Sequence, residues 1–209
     1  MIRLYDFWES GNAYKVRLLL SLLGIRFERI PVDILKGETR SEKFLRKNPN
    51  HRVPLVEWPD GRTLAESNAI LFYFSQGTRF LPDDPWLQAQ ALQWMFFEQY
   101  SHEPFIAVMR FWHFSEQLEQ NRQFVPEKME RGYQALEVMD GHLSQRRYLV
   151  GDSYSIADIA LYAYTHVAEE GSFDLNRFDA VNAWLDRVRQ QEGHVPITAS
   201  VGTEIDFPK

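Results

Sequence analysis

One stretch of the chain, from His51 to Ile70, sets backbone and side-chain groups suited to gripping a small charged ligand close together. Pro54 has no N–H to donate, and a cis bond between Val53 and Pro54 turns the carbonyl and N–H of Val53 outward at the head of a strand. An extended, peptide-like ligand can pair there as an added strand pairs with a sheet edge. Leu55 to Trp58 reads as that strand, Asp60-Gly61 as a turn tolerating positive φ, and Arg62 to Leu64 as the antiparallel return. Glu66 and Ser67 follow where a helix begins, so a carboxylate, a hydroxyl and free helix N–H groups converge within one turn. A ligand bearing both an α-amino and an α-carboxylate group matches that arrangement, its amine at Glu66 and its carboxylate at Ser67 and the helix N-terminus.

The elements before this stretch position it. Ile2 to Phe7 is a strand, and Trp8 to Asn12 is a polar turn running into a helix with Val16, Leu19, Leu20 and Leu23 at helical spacing, widened by Leu18 and Leu22. Gly24 ends the helix as a left-handed cap. Phe27 to Val32 is the next strand, which makes a βαβ unit with a parallel pair. Ligands of such units lie beyond the C-terminal ends of the strands, where Ser10, Gly11 and Asn12 fall. A Lys36-Gly37 turn and a short basic helix around Ser41 to Lys47 lead to the hairpin, and a helix from Ser67 to about Gln76 closes a first domain, 1–77.

Gly77 to Pro85, with Pro82, Asp83 and Asp84, reads as a linker (78–85), and 86–209 as an all-helical domain. Trp86 to Phe114 is a long aromatic segment, whole or broken, and Pro126 to Ser144 is a second helix. Ser155 to Asp158 is a capping box opening the apolar run Ile159 to Ala168, and Ala180 to Gln191 is a further amphipathic helix. The tail from Gly193 to Lys209 reads as extended or partly ordered.

With 209 residues, 44% hydrophobic and 14% aromatic, the chain has ample material for a core. It has no cysteine, which excludes disulfides, thiolate metal sites and redox chemistry of a protein thiol. A net charge of -6 with dispersed basic residues leaves no footprint for nucleic acid and argues against an anionic membrane as partner. No apolar run reaches the roughly 20 residues that a spanning helix needs, and Met1 to Asp6 lacks a signal-peptide core, so cytoplasmic residence is expected. His102-Glu103 lacks the second histidine of a helical zinc motif, and no metal site is expected.

A β-α-β-α-β-β-α unit with a mixed four-stranded sheet, followed by an all-helical bundle, with Val53-Pro54, Glu66-Ser67 and the Ser155 to Asp158 box in place, resembles the cytosolic glutathione S-transferases. The likeness covers nearly the whole chain, and Ser10 to Arg17 is most similar to the serine-type branch, zeta-like or theta-like bacterial members. The resemblance implies a thioredoxin-like first domain, glutathione as co-substrate, a homodimer, and a detoxifying transfer to a small hydrophobic electrophile. It places Val53 on the cysteinyl backbone of glutathione, Pro54 as the cis-proline, and Glu66 and Ser67 at the γ-glutamyl end.

The chemistry so implied is attack by the glutathione thiolate. A free thiol titrates near about 8.5, so the protein must favour its anion. Ser10 at the start of the first helix can donate its hydroxyl proton while accepting a capping N–H, with the helix N-terminus adding positive charge. Asn12 is the rival donor through its amide, and Gly11 allows close approach in either case. Lys36, His51 and Arg52 are the candidate cations for the glycyl carboxylate, the two beside Val53 above all. Trp94, Phe97, Tyr100, Phe105, Met109, Phe111, Trp112 and Phe114 supply core, dimer contacts and, through two or three of them, the electrophile's pocket. Glu98, Gln99, His102, Glu103 and Arg110 are polar members of that segment, and Asp158 is a structural cap. A glutathione-binding protein without turnover and a glutathione-dependent isomerase or peroxidase are the alternatives on the same cradle.

Overall fold

The computed structural model describes residues 1–204, and the chain divides into two compact units, Met1–Gln76 joined by the segment from Glu192, and Gly77–Gln191. In the first unit β1 (Ile2–Asp6), α1 (Gly11–Leu22), β2 (Phe27–Pro31), α2 (Glu42–Leu45), β3 (Leu55–Glu57), β4 (Thr63–Ala65) and α3 (Ser67–Ser75) follow in order. β1 runs parallel to β2 and antiparallel to β3, which pairs antiparallel with β4, giving the expected four-stranded mixed sheet. Successive residues of a strand face opposite ways, and β1 sends Leu4 and Tyr5 into two different cores. Leu4 joins Val16 and Leu20 of α1, Phe27, Val56 and Ile70 of α3, whereas Tyr5 joins Ile30, Val32, Leu55 and Phe44 of α2.

α1 is buried on every side from Ala13 to Leu20, including Lys15 and Arg17, so its two charges must be met internally. Its far side is covered by the tail, which sequence reasoning assigned to the helical domain and which instead packs on the first unit. The Tyr14 hydroxyl donates to the Val195 carbonyl at 2.7 Å, and Arg17 donates to the Ile197 carbonyl at 3.2 Å. The tail then adds a fifth strand, β5 (Thr203–Glu204), parallel to β2 at the sheet edge. The remainder of the expected extended tail, 205–209, lies outside the described residues.

The second unit contains α4 (Pro85–Phe97), α5 (Glu103–Phe114), α6 (Val125–Leu143), α7 (Ile156–Thr165) and α8 (Asp179–Arg189). Asp84 caps α4 by accepting the Trp86 N–H at 2.7 Å, with Pro85 at the first helical position. The long aromatic segment is broken by a π turn at Glu98–His102, one residue ahead of Pro104, whose missing N–H removes a helical bond. α7 is buried along its whole length, as a helix apolar all round must be. Its start is closed by Asp158: Oδ2 accepts from the Ser155 N–H (2.9 Å) and hydroxyl (3.0 Å), Oδ1 from the Leu149 N–H (3.0 Å) and Trp184 Nε1 (2.9 Å). No helix among the described residues is long and apolar enough to cross a membrane.

Candidate functional site

The loop before β3 is shaped by Asn48, a buried side chain that donates to the Arg52 carbonyl at 2.8 Å and accepts the Asn50 N–H at 3.0 Å. His51, at a φ of 43°, donates its N–H to the Asn48 carbonyl at 2.9 Å, and the side chains of His51 and Arg52 project into solvent. The following Val53–Pro54 bond is cis, with Pro54 buried and Val53 half-buried against the Tyr5 core.

Glu66 caps α3 with φ 66° and ψ 111°, a conformation that a residue with a Cβ adopts only when its surroundings impose it. Its carboxylate is exposed and accepts from Asn50 Nδ2 at 3.2 Å, which ties the Val53 loop to the α3 start. Ser67 is buried, and its hydroxyl donates to Asn12 Oδ1 at 3.1 Å, joining the start of α3 to the start of α1 across 55 positions of sequence.

Ser10 is half-buried and caps α1, its Oγ accepting the Ala13 N–H at 3.2 Å, so its hydroxyl proton is not spent on the cap. Gly11 is buried in the first turn. Asn12 Oδ1 takes a second donor, the Lys15 ammonium at 2.8 Å. With two donors on the oxygen, the orientation of the carboxamide is set. Beneath this turn Arg17 grips Asp6 at 2.7 and 2.6 Å and donates to the Trp8 carbonyl at 3.0 Å, fixing the loop that carries Ser10.

The structure thus brings together Asn12 with Ser67, and Glu66 with the loop of His51, Arg52 and Val53. Lys36 is placed elsewhere in its bonding: it is exposed and pairs with Asp33 of its own loop at 3.0 Å, a contact that raises its ammonium above the ordinary value. Sequence reasoning missed Lys15, Asn48 and Asn50. The signal for Lys15 was its place, with Arg17, in a run from Ala13 to Leu20 whose other six residues are apolar or aromatic.

In the second unit Trp94 and Met109 are core, while Phe97, Tyr100 and Phe105 line a cavity of about 220 Å³ with Ser101, Arg131 and Val138. Tyr100 and Phe96 are 84% and 69% exposed. Glu98 is buried and accepts from Gln99 at 2.7 Å, His102 Nε2 meets Thr165 Oγ1 at 2.9 Å, and Arg110 pairs with Glu170 at 2.6 Å. Among the described residues, no three His, Asp or Glu side chains are grouped to hold a metal ion.

Comparison with known proteins gives this geometry a lineage. Residues 1–76 match the family model for the glutathione S-transferase N-terminal domain and residues 89–192 that for the C-terminal domain. The disulfide-bond oxidoreductase YfcG of Escherichia coli is 30% identical, with 98% of each chain covered. The crystal structure of a glutathione S-transferase from Pseudomonas fluorescens is 52% identical, with a TM-score of 0.93 over 95% of this chain and 99% of the other. Ure2p in complex with glutathione is similar at 25% identity, with a TM-score of 0.83 over 92% and 95%. With both halves of the family pattern matched, the chain belongs to the glutathione S-transferase family.

Proposed function

We propose that the first unit binds glutathione and favours its thiolate for transfer to a small hydrophobic electrophile. The donor set suits the tripeptide: the Val53 backbone for its cysteinyl amide, Glu66 for the γ-glutamyl amine, Ser67 and the α3 N-terminus for the α-carboxylate, and His51 or Arg52 for the glycyl carboxylate. Bound glutathione supplies the nucleophilic sulfur, and the chain has no cysteine with which to compete. The observation that carries the reading is the Ser67–Asn12–Lys15 cluster, which brings the starts of α3 and α1 together at the Asn12 carboxamide. We therefore favour Asn12 as the hydrogen-bond donor to sulfur, with Ser10, whose proton is also available, beside it. The Ure2p complex with glutathione supports the ligand; the aromatic side chains of α4 and α5 support an apolar electrophile.

The test is calorimetry with glutathione combined with ultraviolet titration of the bound thiol, repeated for Asn12→Ala and Ser10→Ala. A bound thiol titrating at least about one unit below the free value supports the proposal. Glutathione that fails to bind, or binds with an unshifted thiol, overturns it. A second reading, reduction of small disulfides by glutathione, is favoured by the similarity to YfcG along 98% of both chains. Turnover of a glutathione mixed disulfide, measured beside turnover of an aryl halide, separates the two.

We also propose that the protein works as a cytoplasmic homodimer formed through the second unit, where Phe96, Tyr100 and Val138 stand exposed on α4, the π turn and α6. Light scattering on the native protein and on Phe96→Glu tests this, a monomer in both being the contrary outcome.

A further inference from the structure

Arg17 is buried in α1, 1% exposed, and its guanidinium meets three segments: the end of β1, the turn that follows it and the tail. Nη1 donates to both oxygens of Asp6, at 2.7 and 2.6 Å, and Asp6 ends β1, the strand that lies between β2 and β3 in the sheet. Nη2 donates to the Trp8 carbonyl at 3.0 Å and to the Ile197 carbonyl of the tail at 3.2 Å. The flat face of the group is used as well: Cζ lies 5.2 Å from the centre of the Trp8 ring, over which Arg29 stands at 4.6 Å.

Charge balance accounts for the carboxylate, since a buried cation needs a counter-ion. The two carbonyls do something further. A guanidinium is planar, with its N–H groups in a fixed fork, so an arginine anchored on Asp6 points the hydrogens of Nη2 in set directions. What hangs on the Trp8 carbonyl is the start of α1. Trp8 and Glu9 form the middle of a turn closed by the Ser10 N–H on the Phe7 carbonyl at 2.9 Å, and Ser10 then caps the helix. A turn closed in this way moves as a unit, so a displaced Trp8 carbonyl takes Ser10 with it. The tail shares the same Nη2. When Ile197 withdraws, one N–H loses its acceptor, the guanidinium gains freedom to turn, and Trp8 is held less firmly.

We propose that Arg17 is a positioning residue for the α1 start, fixing the turn that carries Ser10 against the sheet, and that the tail completes this fixation, which couples tail docking to ionisation of the bound thiol. This rests on the reading of the α1 start as the place where the glutathione sulfur is met. The coupling is reciprocal by linkage: the factor by which a docked tail favours the bound thiolate is the factor by which the bound thiolate favours the docked tail.

The experiment uses glutathione and S-methylglutathione, whose sulfur cannot ionise. In the native protein, amide hydrogen exchange of residues 192–204 is expected to slow by about threefold or more on saturation with glutathione, and by less with S-methylglutathione. Equal slowing by both ligands, or none, overturns the proposal. Arg17→Lys keeps a charge for Asp6 and loses the fork. In that variant the bound thiol is expected to titrate about one unit higher, a tenfold loss of thiolate, while affinity for S-methylglutathione stays within about threefold and tail exchange no longer distinguishes the two ligands. A lowered melting temperature with an unchanged thiol titration, or equal weakening of both ligands, overturns the proposal and leaves Arg17 a residue of the fold alone. If the native protein binds no glutathione or leaves its thiol undepressed, the reading of the site fails first, and the native titration alone reveals it. Should Arg17→Lys not fold, the exchange measurement on the native protein decides.

Discussion

The first turns of α1 and α7 are both entered through a serine, and they come to opposite ends. At α7 the Asp158 carboxylate gathers two backbone N–H groups, a hydroxyl and an indole N–H from within the second unit, and it is wholly buried. At α1 Ser10 caps Ala13, and the polar side chains behind it, Lys15 and Ser67, converge on the oxygen of Asn12 and set its orientation. A closed helix start supplies its own anion and stabilises the fold. An oriented one is, on the function proposed above, where an anion from outside is met.

Breaking the closed start should cost most. Asp158→Ala leaves buried donors on Leu149 and Trp184 without an acceptor, and chemical denaturation should show a loss of about 3–5 kcal/mol. A loss below about 1 kcal/mol would remove the contrast. The same carboxyl gives the comparison a pH signature. Burial pushes it up to about 6 against the pull of its Leu149, Trp184 and Ser155 donors. A carboxyl raised in the folded state favours folding while protonated, so its contribution declines as pH climbs from the ordinary carboxylate range to about 6 and is level above. Denaturation at several pH values should show that decline in the native protein and a flatter profile in Asp158→Asn.

At the oriented start the effects should fall on the ligand. Asn12→Ala is expected to raise the bound thiol by about 1–2 units, roughly a 10- to 100-fold loss of thiolate, and, because it takes an acceptor from buried Lys15 and Ser67, to cost about 1–3 kcal/mol in a denaturation curve. Ser10→Ala removes a cap and is expected to cost about 1 kcal/mol of stability in a denaturation curve while shifting the thiol less than Asn12→Ala does. The reverse ranking in the titration would move the donor from Asn12 to Ser10 and sharpen the assignment of the site.

The local geometry of the candidate site was legible in the sequence because each part of it is short-range. Val53-Pro54, the Asp60-Gly61 turn and Glu66-Ser67 declare themselves through φ restriction, missing N–H groups and helix starts within a few residues. The four-stranded sheet followed from alternation and from the βαβ order. What stayed hidden is non-local. The bond between Ser67 and Asn12 depends on where two helices end up, and Lys15 looked like one more polar residue because a helix is read as having a solvent face. The π turn at Glu98–His102 preserves the aromatic pattern on both sides of it, so periodicity shows a long segment while the shift of register passes unseen. The tail carries no period at all, and two of the bonds that hold it go to the main-chain carbonyls of Val195 and Ile197, which any residue could supply.

That tail has a practical bearing on how the protein can be handled. Because residues 193–197 cover Tyr14 and Arg17 and Thr203 pairs beside Glu28, a cut at Gln191, where the helical unit ends, would uncover the back of the very helix that carries Ser10 and Asn12.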